Sequence, residues 1–451
     1  MIMNSPTRNY SRREFVKQNS LTGLGAVLGM ALTPAALAAN IKDADTPAVL
    51  GGQKVRTKGW SGWPIWVPET DEKRVIAVLR SGVWSRAKVV EEFEKKWAAL
   101  IGAKRCLTTV NGTNALICAL HNLDIGGGDE VLVPPFTFIA TPMSVLQNGA
   151  MPVFVDIDQD TWQMDPAKIE ARITPRTRAI LPVHIYGLPA DMERIMAIAK
   201  KHKLLVVEDA CQAWLAEINH KKVGTFGHAG CFSFQNSKHC PMGEGGAIVS
   251  DDEKYMDRCH SYHNLGGLNI MGTKLRLAEY QAAIGLAQLE RLEAQTATRN
   301  ENADYLRAKL RNIPGILPHK LYPNVTRAAY HLFPFRYKKE EFKGLSRAAF
   351  IRALGAEGIP CSSGYGAGLY SKPYLDDAFK SKNFQKMYPK EMLDFKKYVE
   401  RNQCPVNDRL CSEETVAFSQ RMFLGTKSDM DDIVRAAERI HRHAEKISQR
   451  A

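Results

Sequence analysis

The sequence predicts an α/β fold, a mainly parallel central sheet flanked by helices, with a smaller α+β domain towards the C-terminus. Three observations carry this. From about residue 100, short apolar runs alternate with amphipathic stretches, the pattern of strands and helices that cover both faces of a parallel sheet. A long stretch of helical period, 278–310, then leads away from that alternation. Beyond it, strand and helix patterns mix. A chain of 451 residues also exceeds what one hydrophobic core usually organises.

The elements follow in order. Strands are expected at 105–110, 130–134, 152–156, 178–184, 204–209, 230–234 and 246–250, each a short run rich in Val, Ile, Leu or Phe. Segments such as "TNALICALHNL" (113–123) and "DMERIMAIAKKH" (191–202) carry helical spacing between them. The stretch 278–310 places Ile284, Leu286, Leu289 and Leu292 among Gln and Glu, which predicts one long helix or a helix pair. After it, "HLFPFRY" (331–337) is strand-like, and 346–359 and 430–447 are helical. The expected organisation is a leader over 1–39, an N-terminal segment with the large domain over 40–295, and the small domain over 296–451.

The leader carries a basic segment, "SRREFVK" (Ser11–Lys17), then a weakly apolar run from Leu21 to Ala39. It ends in small residues at Ala36-Leu37-Ala38. That order is expected of an export signal, with a Sec signal or an uncleaved anchor as the other readings. Gly23, Gly25, Gly29 and Pro34 make the run a poor permanent membrane helix. The pair Arg12-Arg13 followed by Glu14-Phe15 resembles the twin-arginine export signal. That resemblance implies a protein folded in the cytoplasm and delivered to the periplasm, with membrane contact only through the signal.

The formal net charge is +13, which favours anionic small molecules. The basic residues alternate with acids along the chain, with no basic stripe and no nucleic-acid-reading motif, so no specific nucleic-acid partner is expected. The nine cysteines are irregularly spaced and form no Cys-x-x-Cys pair. A zinc ribbon, a redox motif or a disulfide framework is therefore not expected, and no metal ligand set stands out.

Four motifs fall in one order along the expected strands. "NGTNAL" (Asn111–Leu116) is a strand end, a glycine turn and a helix start; backbone N–H groups at a helix N-terminus bind phosphate. That singles out Gly112, Thr113 and Asn114. "PPFTFIAT" (Pro134–Thr141) brings Phe138 to another strand end. "VVEDACQA" (Val206–Ala213) places Asp209 at a strand end, with Gln212 just beyond. "FSFQNSKHCPMGEGG" (Phe232–Gly246) brings Ser233 and Lys238. Any one of these is an ordinary turn, cap or surface lysine; the order is the signal. Together they supply what pyridoxal 5'-phosphate needs: a lysine for the Schiff base, a carboxylate for the ring nitrogen, an aromatic face, and hydroxyls with amides for the phosphate.

These motifs resemble the DegT/StrS-type sugar aminotransferases. Also similar are "GGGDEVLVPPFTFIAT" (126–141), "MPVFVDIDQDTWQMDP" (151–166), "AILPVHIYG" (179–187) and "RLAEYQAAIGLAQLERL" (276–292). The resemblance runs from about Val55 to Arg442 and implies an aspartate-aminotransferase-like fold. It makes Lys238 the Schiff-base lysine, Asp209 the partner of the ring nitrogen, and Gln212 the neighbour of the phenolic oxygen. Phe138 stacks on the ring; Thr113, Asn114 and Ser233 hold the phosphate. Lys274, in "GTKLR", stands where the family often has an asparagine that reaches the neighbouring subunit's phosphate. Gln235 stands where many members have histidine or another aromatic.

The implied activity is transfer of an amino group from glutamate or glutamine to a keto-sugar or keto-cyclitol, in a homodimer. Segments 55–64, 81–86, 344–370 and 404–411 look closest to the glutamine:scyllo-inosose branch. Two other readings are carried forward. A sugar dehydratase would share the cofactor, but that branch replaces the lysine with histidine. An exported protein keeping the fold for binding or regulation is the second, motivated by the leader.

Overall fold

The computed structural model of the protein describes residues 45–366 and 368–450. The expected export signal lies outside them. Among the described residues, thirteen strands form three sheets. The first contains β1 (Arg105–Thr109), β2 (Glu130–Val133), β3 (Met151–Phe154), β4 (Thr177–Ile180) and β5 (Leu205–Asp209), with β8 (Ala229–Ser233) and β9 (Gly246–Ser250). Its spatial order is β1-β9-β8-β5-β4-β2-β3. The ladder from β3 to β8 is parallel, and β9 runs antiparallel to both β8 and β1. All seven expected strands are present in this sheet, within three residues at their starts and ends except for β4, which stops at Ile180 rather than 184.

Alternation along each strand decides which face a side chain covers. Leu132, Val206 and Val249 point into one core, with Phe93, Trp97 and Leu286 from helices. Val131, Val133, Val207 and Ile248 point into the other, with Leu116, Ala119 and Val145. Both faces are dry, so these strands are apolar throughout, as parallel sheets require.

The small sheet is antiparallel, β10 (Ile316–Pro318), β12 (Leu332–Tyr337) and β13 (Thr415–Ser419), in the order β10-β12-β13. It shares a third core with the helices Arg347–Ala356 and Lys427–Arg442. A short third sheet joins β11 (Val325–Arg327) to the hairpin of β6 (Glu217–Ile218) and β7 (Lys221–Lys222).

The stretch expected as a helix or helix pair is one helix, Glu279–Leu310. The expected change of domain near residue 295 falls inside it, and the chain from Pro47 onwards is one contact-dense unit. A second difference concerns Leu369–Cys404, which the sequence assigns to the small domain. Tyr370, Leu375, Phe379, Phe384, Tyr388 and Tyr398 are buried in the core of the large sheet. Asn402 Oδ1 accepts from the Phe154 N–H at 2.8 Å, at the far edge strand.

Candidate active site

The C-terminal ends of β1, β2, β5 and β8 lead into one cavity of about 530 Å³, lined among others by Gly112, Thr113, Phe138, Asp209, Gln212 and Lys238. Ser233, Gln235, His331 and Tyr365 also line it. Ligands in open α/β sheets bind at these strand ends.

The first wall is the start of the helix Gly112–Asn122. Asn111 leaves β1 in an extended conformation, and its side chain accepts from the Asn114 N–H at 2.9 Å. This caps the helix. Gly112 and Thr113 line the cavity, and N–H groups in a first helical turn have no partner within the helix. Asn114 is not brought to the cavity wall: its amide nitrogen also donates to Asn111 Oδ1, at 3.0 Å. A Cβ on Gly112 would meet Cys211 Sγ and the Ser233 Cβ at 2.8 Å, so glycine alone lets the turn approach β8 this closely. Behind it, a Cβ on Gly246 would lie 2.4 Å from the Asn111 carbonyl oxygen and 2.7 Å from the Gly112 nitrogen. We expect Gly246→Ala to displace this turn, lowering stability by about 1–3 kcal/mol and weakening cofactor binding, as checked by thermal unfolding and cofactor titration.

The second wall is Asp209, the last residue of β5. Its Oδ2 accepts from the Thr141 hydroxyl at 2.8 Å, and its Oδ1 from the Cys211 N–H at 3.1 Å. Thr141 in turn shares a 2.8 Å hydroxyl contact with Thr137. Both threonines are buried, so the carboxylate is fixed by one hydroxyl and one amide, with Thr137 behind the hydroxyl. A hydrogen bond to a charged group is worth about 1.5–3 kcal/mol. Thr141→Val is expected to lower kcat about 10- to 100-fold and leave the substrate KM values within a few-fold, measured by steady-state kinetics.

Gln212 is held at both ends of its amide. Its Oε1 accepts from the Tyr186 N–H at 2.9 Å, and its Nε2 donates to the Tyr365 hydroxyl at 2.9 Å. Burial pushes the Tyr365 phenol up to about 12, so it stays protonated. Gln235 Oε1 accepts from Ser237 N–H at 2.8 Å and Ser237 Oγ at 2.7 Å. Phe138 lines the cavity and is 58% exposed.

Lys238 completes the site. Its N–H donates to the Gln235 carbonyl at 2.8 Å, and its own carbonyl accepts from Trp63 Nε1 at 3.1 Å. Burial holds its amine below the usual lysine range, and the Cys211 and Asp209 side chains oppose that shift in part. Burial favours the neutral amine, the form a nucleophile needs. Lys274 is exposed, and it does not line this cavity.

Sequence reasoning did not single out Thr141, Tyr365 or His331 as members of the site. Thr141 ends the stretch "PPFTFIAT", yet nothing local marks the hydroxyl as Asp209's partner. Tyr365 and His331 come from far along the chain and only the fold brings them here.

The residues present fit pyridoxal phosphate. A glycine cradle meets a helix start for the phosphate, a fixed carboxylate would serve the ring nitrogen, and a half-buried lysine would serve the carbonyl carbon. Fold and site together define a pyridoxal-phosphate-dependent aminotransferase. The chain belongs to the DegT/DnrJ/EryC1/StrS aminotransferase family, whose model matches residues 67–394.

It is 33% identical over 414 residues to a putative L-glutamine:3-amino-2,3-dideoxy-scyllo-inosose aminotransferase of Streptoalloteichus tenebrarius, covering 89% of this chain and 99% of that protein. It is 33% identical over 423 residues to the L-glutamine:2-deoxy-scyllo-inosose aminotransferase of Streptomyces kanamyceticus, covering 88% and 97%. Among solved structures, 3-amino-5-hydroxybenzoic acid synthase superposes with a TM-score of 0.75 at 29% identity, covering 86% of this chain and all of that one.

Proposed function

We propose that the protein transfers an amino group from glutamate or glutamine to the ketone of a sugar or cyclitol. The observation that carries this is the end-to-end similarity to two proteins named as glutamine:scyllo-inosose aminotransferases, joined to a cavity that keeps both Lys238 and Asp209. The donor leaves as a 2-oxo acid and the acceptor ketone becomes an amine, so the exchange balances without an external oxidant.

When bound, pyridoxal phosphate supplies an electron sink and a carrier for the amino group. The chain's own residues do the rest. Lys238 Nζ anchors the cofactor, then takes the proton from the donor's Cα and returns it in the opposite sense for the acceptor. Asp209 would hold the proton on the ring nitrogen, with Thr141 and the Cys211 N–H fixing the direction of its carboxylate. Gly112, Thr113 and Ser233 would hold the phosphate. Phe138 would cover one face of the ring, and Gln212 would stand by its phenolic oxygen.

The working form is a homodimer in this reading. Leu265, Leu268 and Met271 are exposed apolar residues just before Lys274. A second copy covering them would let Lys274 reach the partner's phosphate as a point charge. Export to the periplasm by the twin-arginine route completes the reading. Cell fractionation of the full chain with Arg12→Lys and Arg13→Lys together tests it; retention in the cytoplasm supports export, and unchanged fractionation overturns it.

The test of the activity is a transamination screen with glutamate and glutamine against keto-sugars and inososes, read by mass spectrometry. An aminated acceptor supports the proposal. Cofactor that converts to its amine form with glutamate alone, with no acceptor aminated across the screen, overturns the acceptor class. A deoxygenated sugar without amination would return the dehydratase reading.

A further inference from the structure

The stretch 55–71 runs over the molecule as a strap and places no side chain in the wall of the catalytic cavity. It is anchored at both ends. At the first, the Arg56 N–H donates to the Glu357 carbonyl at 3.0 Å, and the Arg56 guanidinium donates to Asp429 Oδ1 at 2.6 Å and Asp432 Oδ2 at 2.8 Å. The same guanidinium lies 3.9 Å from the Trp60 ring, whose indole donates to the Gly358 carbonyl at 2.9 Å. These contacts tie the strap to the small domain. At the second end, Arg291 of the long helix Glu279–Leu310 donates to both oxygens of Asp71, each at 2.8 Å. Gln288 and Arg291 also donate to the Ile65 carbonyl, at 3.0 and 3.1 Å.

Trp63 stands between these anchors. Its indole N–H donates to the Lys238 carbonyl at 3.1 Å. The Arg299 guanidinium lies over its ring, 5.2 Å from the centroid. Arg299 is itself fully buried, and its Nε and Nη2 donate to Gln420 Oε1 at 2.9 and 2.6 Å. A fixed cation over an indole face holds the ring by attraction to its π-system, which leaves the N–H on the ring's edge aimed at the lysine loop.

That loop closes on itself through the Asn236 N–H to the Gly243 carbonyl at 2.9 Å and the Met242 N–H to the Phe234 carbonyl at 2.8 Å. Inside it, the Lys238 N–H is held by the Gln235 carbonyl. The Lys238 carbonyl receives no donor but the Trp63 indole among the described residues. Peptide units are planar. A residue's N–H therefore fixes the plane before its Cα, and its carbonyl fixes the plane after. With both planes held, the direction in which Cβ leaves the backbone is set. For Lys238 the first plane is held by its own loop, and the second by Trp63.

We propose that Trp63 is a positioning residue for Lys238, carried by a strap that makes the aim of the amine depend on the small-domain contacts of Arg56. This rests on the aminotransferase reading above. A group that moves protons must stand in line with the reacting atoms, and a small misplacement costs rate. The strap does not line the cavity, so donor binding is left alone.

The test mixes cofactor-loaded full-length protein with L-glutamate alone and follows loss of the visible band. Trp63→Phe keeps a ring beside Arg299 and removes the N–H donor. Its limiting rate is expected to fall on the order of 10-fold. The half-saturating glutamate concentration, the starting band and the thermal unfolding midpoint should stay close to wild type. Arg56→Gln releases the first anchor and should lower the same rate by a smaller factor. In the double variant the rate should be no lower than in Trp63→Phe, because both changes act through one bond. Equal rates in wild type and Trp63→Phe overturn the proposal. So does a parallel fall in rate, donor affinity and unfolding midpoint, which marks a structural role. Rate losses that multiply in the double variant overturn the part given to the strap.

If Arg56→Gln does not fold, Trp60→Phe, which loses its donor to Gly358, replaces it in the cycle. A wild type that answers neither glutamate nor glutamine fails the donor reading instead. Methoxyamine, which displaces the lysine from the cofactor without any donor, then reads the positioning. Unequal displacement rates in wild type and Trp63→Phe support it, and equal rates overturn it.

Discussion

Lys238→Ala is expected to abolish the visible absorption band of cofactor-loaded protein and to lower transamination by at least about 10⁴-fold, the upper range for losing a group that moves protons in the transition state. The physical case is local. Lys238 sits in a loop fixed at both backbone ends, by the Gln235 carbonyl and the Trp63 indole, and its amine is depressed by burial. Neither Ser237 nor His239 can stand in. Ser237 is exposed and donates to Gln235, and His239 is buried against Trp214. Cofactor retained by phosphate contacts alone would still be released more readily on dialysis. Spectra and activity of the purified variant check this, and a band that survives the substitution removes Lys238 from the chemistry.

Asp209→Asn is expected to leave the fold intact and lower kcat by about 10²–10³-fold, the scale for losing one fixed electrostatic partner of developing charge. The side chains are nearly the same size, and Oδ1 of asparagine can still accept from the Thr141 hydroxyl or the Cys211 amide. The negative charge proposed to face the ring nitrogen is gone, together with one of the two accepted hydrogen bonds, because the asparagine Nδ2 only donates. Thermal unfolding within a few degrees of wild type, together with the kcat loss, separates this from misfolding. Equal kcat in the two proteins would mean that Asp209 does not face the ring nitrogen.

The large sheet was legible in the sequence because its strands are buried on both faces. Runs such as "EVLVP" and "LLVVED" have few other places in a soluble fold. Glycine turns and polar residues at strand ends then marked the rim, and Gly112, Thr113, Phe138, Asp209, Gln212, Ser233 and Lys238 meet in one cavity. Asn114 and Lys274 did not join them. Asn114 faces back on its own cap, which spacing alone cannot distinguish from facing outwards. Lys274 belongs to a segment whose partner is a second chain in the proposed dimer, beyond anything one chain's pattern encodes.

Arg299 was missed for a different reason. In "QTATRNENADYL" an arginine among polar residues looks like a solvated helix face. Only the packing of Trp63 and Gln420 around it makes it a buried charge. The helices after residue 369 carry the same ambiguity. An amphipathic helix shows which side is apolar, never which sheet that side will cover.

The return of Leu369–Cys404 to the first sheet bears on how the molecule is made. Tyr398 donates to the Pro152 carbonyl and Asn402 accepts from Phe154, pairs nearly 250 residues apart in sequence. As synthesis proceeds from the N-terminus, the edge at β3 stays bare until the ribosome has released almost the whole chain. Such distant closure slows folding and prolongs the exposure of apolar surface. A nascent chain stopped at residue 295 would therefore be a substrate for chaperones rather than a finished domain.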